Sequence, residues 1–108
     1  MLNQIILAGR ITQDPKKIEL ENGKEKNIII LAVPRNYKNE FGEYDTDFLE
    51  VSISGGIAEN VHEYCQKGDL VGVKGRVQSN KVEDKHLIEI IAEKVTFLSC
   101  RKDEDKGE

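Results

Sequence analysis

The sequence predicts a small all-β barrel of five strands, with one helix between the third and fourth. Three observations carry this. Apolar residues recur in short runs, several with a period of two, as in strands that show one face to a core. Only one stretch, GGIAENVHEYCQKG (55–68), has helical spacing. Turn signals at Asp14-Pro15, Asn22-Gly23 and Phe41-Gly42 divide the remainder.

The elements follow in order. LNQIILAGRI (2–11) reads as a first strand, ended by Asp14-Pro15. KKIELENGKEKNIIILAV reads as a hairpin, because Ile18 and Leu20 alternate with charge and Asn22-Gly23 is a strong two-residue turn. The run Ile28 to Val33 is apolar enough for a buried strand. After the Phe41-Gly42 turn, Leu49, Val51 and Ile53 define one face of a strand, and Phe48, Glu50, Ser52 and Ser54 the other. Tyr44 shares the outward parity. In the helix, Ile57, Val61, Tyr64 and Cys65 make the apolar stripe, and Gly68 is placed to close the C-terminus. LVGVKGRVQSNKV then turns Val71, Val73 and Val77 inward, with Lys74, Arg76, Gln78, Asn80 and Val82 outward. A polar EDKH turn leads to a last strand through LIEIIAEKVTFL. This order is that of an OB-fold, a partly open Greek-key barrel, although periodicity alone admits other small barrels.

At 108 residues the chain has room for one domain, read as 1–100, followed by a short charged tail, 101–108, expected to be disordered. No run approaches the ~20 apolar residues of a membrane-spanning helix. MLNQIILAGR lacks the basic start of a signal peptide, so the expected compartment is the cytoplasm. Cys65 and Cys100 form no CxxC pattern and are expected to be reduced thiols, and His62 with Cys65 supplies too few ligands for a metal. The net charge is −4, and the last eight residues hold four acids against three bases. For a binding groove, local distribution matters more than that total.

Four of the six aromatic residues, Tyr37, Phe41, Tyr44 and Phe48, fall in RNYKNEFGEYDTDFLEV (35–51) among charged neighbours. The aliphatic face of that strand already supplies a core, so Tyr44 and Phe48 are left looking outward. Phe41 beside Gly42 reads as a hydrophobe at a loop tip.

ILAGRITQDP, NYKNEFGEYDTDFLEV, AENVHEYCQKGDLVGVKGRVQS and the late VTFL resemble, in order and spacing, the bacterial single-stranded DNA-binding protein family. The resemblance runs from about Leu2 to Leu98. It implies an OB-fold that self-associates, usually as a tetramer, with a dimer as the alternative. It also implies that single-stranded DNA crosses the barrel with bases stacked on exposed rings, in replication, recombination or repair. Tyr37 and Phe48 occupy family stacking positions, while Tyr44 joins them by strand parity alone. Arg10, Arg35, Lys38, Lys74, Arg76 and Lys81 are the candidates to meet phosphates.

The departures from the family pattern are as informative. Ser54 and Val82 stand where the family commonly has large aromatics, and Glu50 where its prototype carries a base. The arm at Glu83 to His86 is short, and RKDEDKGE lacks the apolar Pro-Phe tip that recruits replication and repair enzymes in typical members. Ser54, Val82, Glu50 and the short arm predict weaker, more salt-sensitive binding. Ser54, Val82, Glu50 and the acidic balance also sustain a rival reading, a primosome-like module that mainly contacts a protein.

Enzymatic signatures are weak. Glu43, Asp45 and Asp47 share a strand face without a calcium-loop glycine, GVKG lacks P-loop spacing, and SISGG does not match GxSxG. The chain is read as a non-catalytic binding protein that needs no cofactor.

Overall fold

The structure is a computed structural model that describes residues 1–20 and 23–99, without the side chain of Val82. The elements are β1 (Ile5–Ile11), β2 (Lys16–Glu19), β3 (Glu25–Lys38), β4 (Tyr44–Ile53), α1 (Gly55–Tyr64), β5 (Leu70–Val82) and β6 (Lys85–Ser99). The sheet order is β1-β5-β6-β4-β3-β2, and a further β1–β3 pairing closes it. Five strands therefore form the barrel, and β2 is an extra strand on the flank of β3. The helix falls between β4 and β5, the third and fourth strands of the barrel, as the sequence predicts.

Two short seams complete the closure. β1 meets β3 through Arg10↔Ala32 and Ile11↔Leu31, and β4 runs parallel to β6 through Val51↔Ile90 and Ser52↔Ile91. The long β5–β6 ladder must bend to bring both seams together. Its register shifts at Lys74/Gly75, where a side chain on Gly75 would overlap the Ile91 backbone. Only glycine allows that approach.

The core is built from the inward faces of the strands. Ile11, Ile29, Leu31, Val51, Ile53, Val71 and Val73 are buried there, joined by Ala58, Val61 and Cys65 from the helix side. α1 packs on β6, with the Tyr64 ring 6.1 Å from that of Phe97. This aliphatic interior leaves the rings of the β3–β4 hairpin to the surface.

Several boundaries differ from expectation for local reasons. β1 begins at Ile5 rather than Leu2, and Met1 and Leu2 are exposed. The β2–β3 register pairs Glu19 with Glu25, and the Leu20 amide donates to the Lys24 carbonyl. Three residues rather than two therefore separate the paired Leu20 and Lys24. Gly23 adopts φ 81°, its amide bonded to the Leu20 carbonyl, while residues 21–22 lie outside the described set. The β3–β4 loop repeats the plan: the Asn39 amide donates to Glu43, the Gly42 amide to Asn39, and Gly42 has φ 77°. A glycine in the left-handed region at the third loop position suits this kind of hairpin. Helix α1 ends at Tyr64, because Cys65 is already extended. Gly68, at φ 94°, instead shapes the turn into β5, and its amide bonds the Ile11 carbonyl. Only Glu83 and Asp84 form the last turn, whereas Lys85 and His86 already belong to β6. The tail 101–108 and Cys100 lie outside the described residues, while Cys65 is buried.

Candidate nucleic-acid interface

The β3–β4 ribbon carries most of the site. Ala32 pairs with Phe48 and also with Arg10 of β1, so Arg10, Ala32 and Phe48 form one row across three strands. Directly opposed residues share a face of the sheet. Phe48 is 67% exposed, and the Arg10 guanidinium beyond it donates to the Gly68 carbonyl at 3.0 Å. A neutral acceptor orients that guanidinium without cancelling its charge.

Further along the ribbon, Lys38 pairs with Tyr44, and its Nζ lies 5.8 Å from the Tyr44 ring centre. That is within cation–π range. Alternation along β4 keeps Tyr44 and Phe48 on one side. β3 shifts register against β4 between Pro34 and Lys38, so alternation does not carry through that stretch; Arg35 lies on the side of Asp45 and Asp47, which it binds, and Tyr37 is near enough to act on its charge. Tyr37 and Tyr44 are 60% and 59% exposed. Phe41 is exposed at the loop tip, and the Asn39 carboxamide organises the loop by accepting from the Phe41 and Glu43 amides.

Arg35 is not an open cation. Its Nε and Nη2 donate to the Asp47 carboxylate at 2.9–3.3 Å, and Asp45 lies 3.7 Å from Nη1. The hydrogen bond and charge of Arg35 hold the Asp47 carboxyl below its ordinary range, and Asp47 in turn raises Arg35 further. Two of the period-two acids, Asp45 and Asp47, are thus engaged by a cation, and Asn39 Nδ2 also donates to Asp45. Among the described residues, no group of three or more His, Cys, Asp or Glu side chains is placed to hold a metal.

The cations of β5 are dispersed. Lys74 sits between Ile6 of β1 and Lys94 of β6, in a row away from Phe48. Arg76 pairs with Glu93 at 3.5 Å, and Lys81 approaches Asp84 at 3.9 Å near the arm tip. The structure therefore brings Arg10, Phe48, Tyr44 and Lys38 onto one side of the ribbon. It puts Arg35 behind them, with Tyr37 nearby, and leaves Lys74, Arg76 and Lys81 on the β5–β6 wall.

A second polar group adjoins Phe48: its Glu50 and Ser52 lie on the outward face expected from sequence, but their meeting with Lys26 and Glu89 was not foreseen. Glu50 is next on the same face of β4, followed by Ser52. Glu89 of β6 accepts from Ser52 Oγ at 2.7 Å and Asn80 Nδ2 at 2.9 Å, and it pairs with Lys26 Nζ at 3.1 Å. Lys26 also lies 3.8 Å from Glu50. The Ser52 hydrogen bond, then those of Asn80 and Lys26, hold Glu89 below the ordinary glutamate range. No local motif announces this cluster, because its members come from β3, β4, β5 and β6.

A closed five-stranded barrel with one helix between its third and fourth strands defines an OB-fold. The model of the single-strand binding protein family matches residues 2–98, and the chain belongs to that family. Relatives include a single-stranded DNA-binding protein of Clostridium acetobutylicum, 40% identical over 109 residues, covering 94% of this chain and 98% of the relative. Single-stranded DNA-binding protein B of Bacillus subtilis is 38% identical over 103 residues, covering 91% of each chain. Among solved structures, a Plasmodium falciparum SSB in complex with ssDNA superposes with a TM-score of 0.73 at 25% identity. That match covers 92% of this chain and 96% of the other.

Proposed function

We propose that this protein binds single-stranded DNA without sequence preference, as a homo-oligomer serving replication, recombination or repair in the bacterial cytoplasm. The observation that carries the reading is the Arg10–Ala32–Phe48 row, an exposed ring beside a correctly signed charge on the barrel wall. Bases stack on such rings whatever their identity, and each stack contributes ~1–3 kcal/mol. Tyr44 with Lys38 extends the platform along the ribbon, and Tyr37 with Arg35 lets a strand continue around its edge. Lys74, Arg76 and Lys81 serve the phosphates on the β5–β6 wall. Relatives named for this activity, and a structural neighbour holding single-stranded DNA, weigh for this reading against the protein-contact module. Binding is non-catalytic: the strand is held, not altered.

The test is a fluorescence-anisotropy titration of labelled oligo-dT across several salt concentrations, beside a duplex control. Selective single-strand binding that weakens as salt rises is expected. Phe48→Ala should weaken it by roughly 5- to 150-fold, the equivalent of one lost stack. Absence of binding even at low salt would overturn the proposal.

A further inference from the structure

We propose that Lys26 is a phosphate-binding cation held in reserve, masked by Glu50 and Glu89. This inference rests on the single-strand reading and identifies what limits binding at that site. Lys26 is on β3, and its Nζ lies 3.1 Å from Glu89 and 3.8 Å from Glu50. Glu50 shares the outward face of β4 with Phe48, two residues away and therefore about 7 Å along the strand. A cleft of about 410 Å³ opens between Lys26, Glu50, Ser52 and the root of the β5–β6 arm. A strand stacked on Phe48 and continuing toward the arm would cross it.

The local charges decide what the strand meets. One ammonium faces two carboxylates, so the cleft carries a net negative charge despite its lysine. Glu89 is fixed by Ser52 and Asn80 as well as by Lys26, and its side chain is only 21% exposed. Glu50 is the looser partner, with 54% of its side chain exposed and the longer contact to Lys26. A phosphate can recruit Lys26 only by displacing carboxylates that already neutralise it. The lysine consequently contributes no counterion release in the native sequence, and the cleft ends the favourable path.

The experiment uses the full chain and the same oligo-dT salt series. Glu50→Gln removes the charge of an exposed residue with little risk to folding. It should tighten binding several-fold and steepen the slope of log K against log salt by up to roughly 0.7, the value for one full phosphate contact to a single strand, because Glu89 still competes for Lys26. Lys26→Gln alone should leave that slope nearly unchanged. Adding Lys26→Gln to Glu50→Gln should abolish the gain. A gain that survives without Lys26 would overturn the proposal, because simple repulsion by Glu50 would explain it. So would an unchanged slope in Glu50→Gln while Phe48→Ala still weakens binding. If the unaltered chain binds no oligo-dT, the single-strand reading fails, and this inference with it.

Discussion

Arg10 and Arg35 carry the same guanidinium in different company. Arg10 bonds a neutral carbonyl and keeps its charge available, whereas Arg35 grips the Asp47 carboxylate with two nitrogens. Salt dependence counts cations that release counterions, not arginines in the sequence. Arg10→Gln should therefore flatten the salt slope by roughly 0.7. Arg35→Gln should change it far less, and parallel anisotropy titrations of the two variants check the contrast. The outward rings were legible in the sequence, because Leu49, Val51 and Ile53 already claim the core side of β4. The Arg35 pairing was within reach as well: folding the chain at Phe41-Gly42 carries position 35 back toward 45 and 47. The Lys26 cluster was not, since residues 26, 50 and 89 meet only after the barrel closes.

Among elements, hairpin turns divide by the residues available to them. Gly23 and Gly42 take left-handed backbone without a side-chain penalty. Their glycines made both turns visible in the sequence, but the loop length follows from a register that one dipeptide does not specify. The β5–β6 turn has no such help. Glu83 and Asp84 stand at φ 49° and 66°, the pair of left-handed residues that a two-residue hairpin requires. An L-residue there costs roughly 1–2 kcal/mol relative to glycine. Replacing Glu83-Asp84 by Asn-Gly should raise the melting temperature by several degrees, measurable by thermal unfolding. A fall would mean that the two acids make compensating contacts. The helix was legible from its stripe, but its end was not, because Gly68 serves the turn that binds β1 rather than a helix cap.

For the molecule as a whole, fold class followed from the order of strands and helix, while its surfaces required the closed barrel. The outer wall of β1, β5 and β6 exposes Ile6 at 71% and Leu98 at 53%, on either side of Gly72. Exposed aliphatics gathered on one wall favour association with another copy. Under the oligomer proposal, light scattering coupled to gel filtration should find a multimer, and Ile6→Asp should shift it toward monomer with the circular dichroism spectrum unchanged. A chain that is already monomeric would remove self-association from the proposed function.

The pairing of β1 with β5 also bears on how the protein is made. Ile5 through Gly9 find their ladder partners at residues 71–75. At about 5–20 residues per second, a ribosome needs roughly 3–13 s to travel from the first strand to that partner. Through that interval Ile5, Ile6 and Leu7 emerge before the strand that pairs with them, while the β3–β4 hairpin can form from neighbours. A nascent chain stalled before residue 70 therefore presents an unmatched apolar edge to chaperones and to other nascent copies.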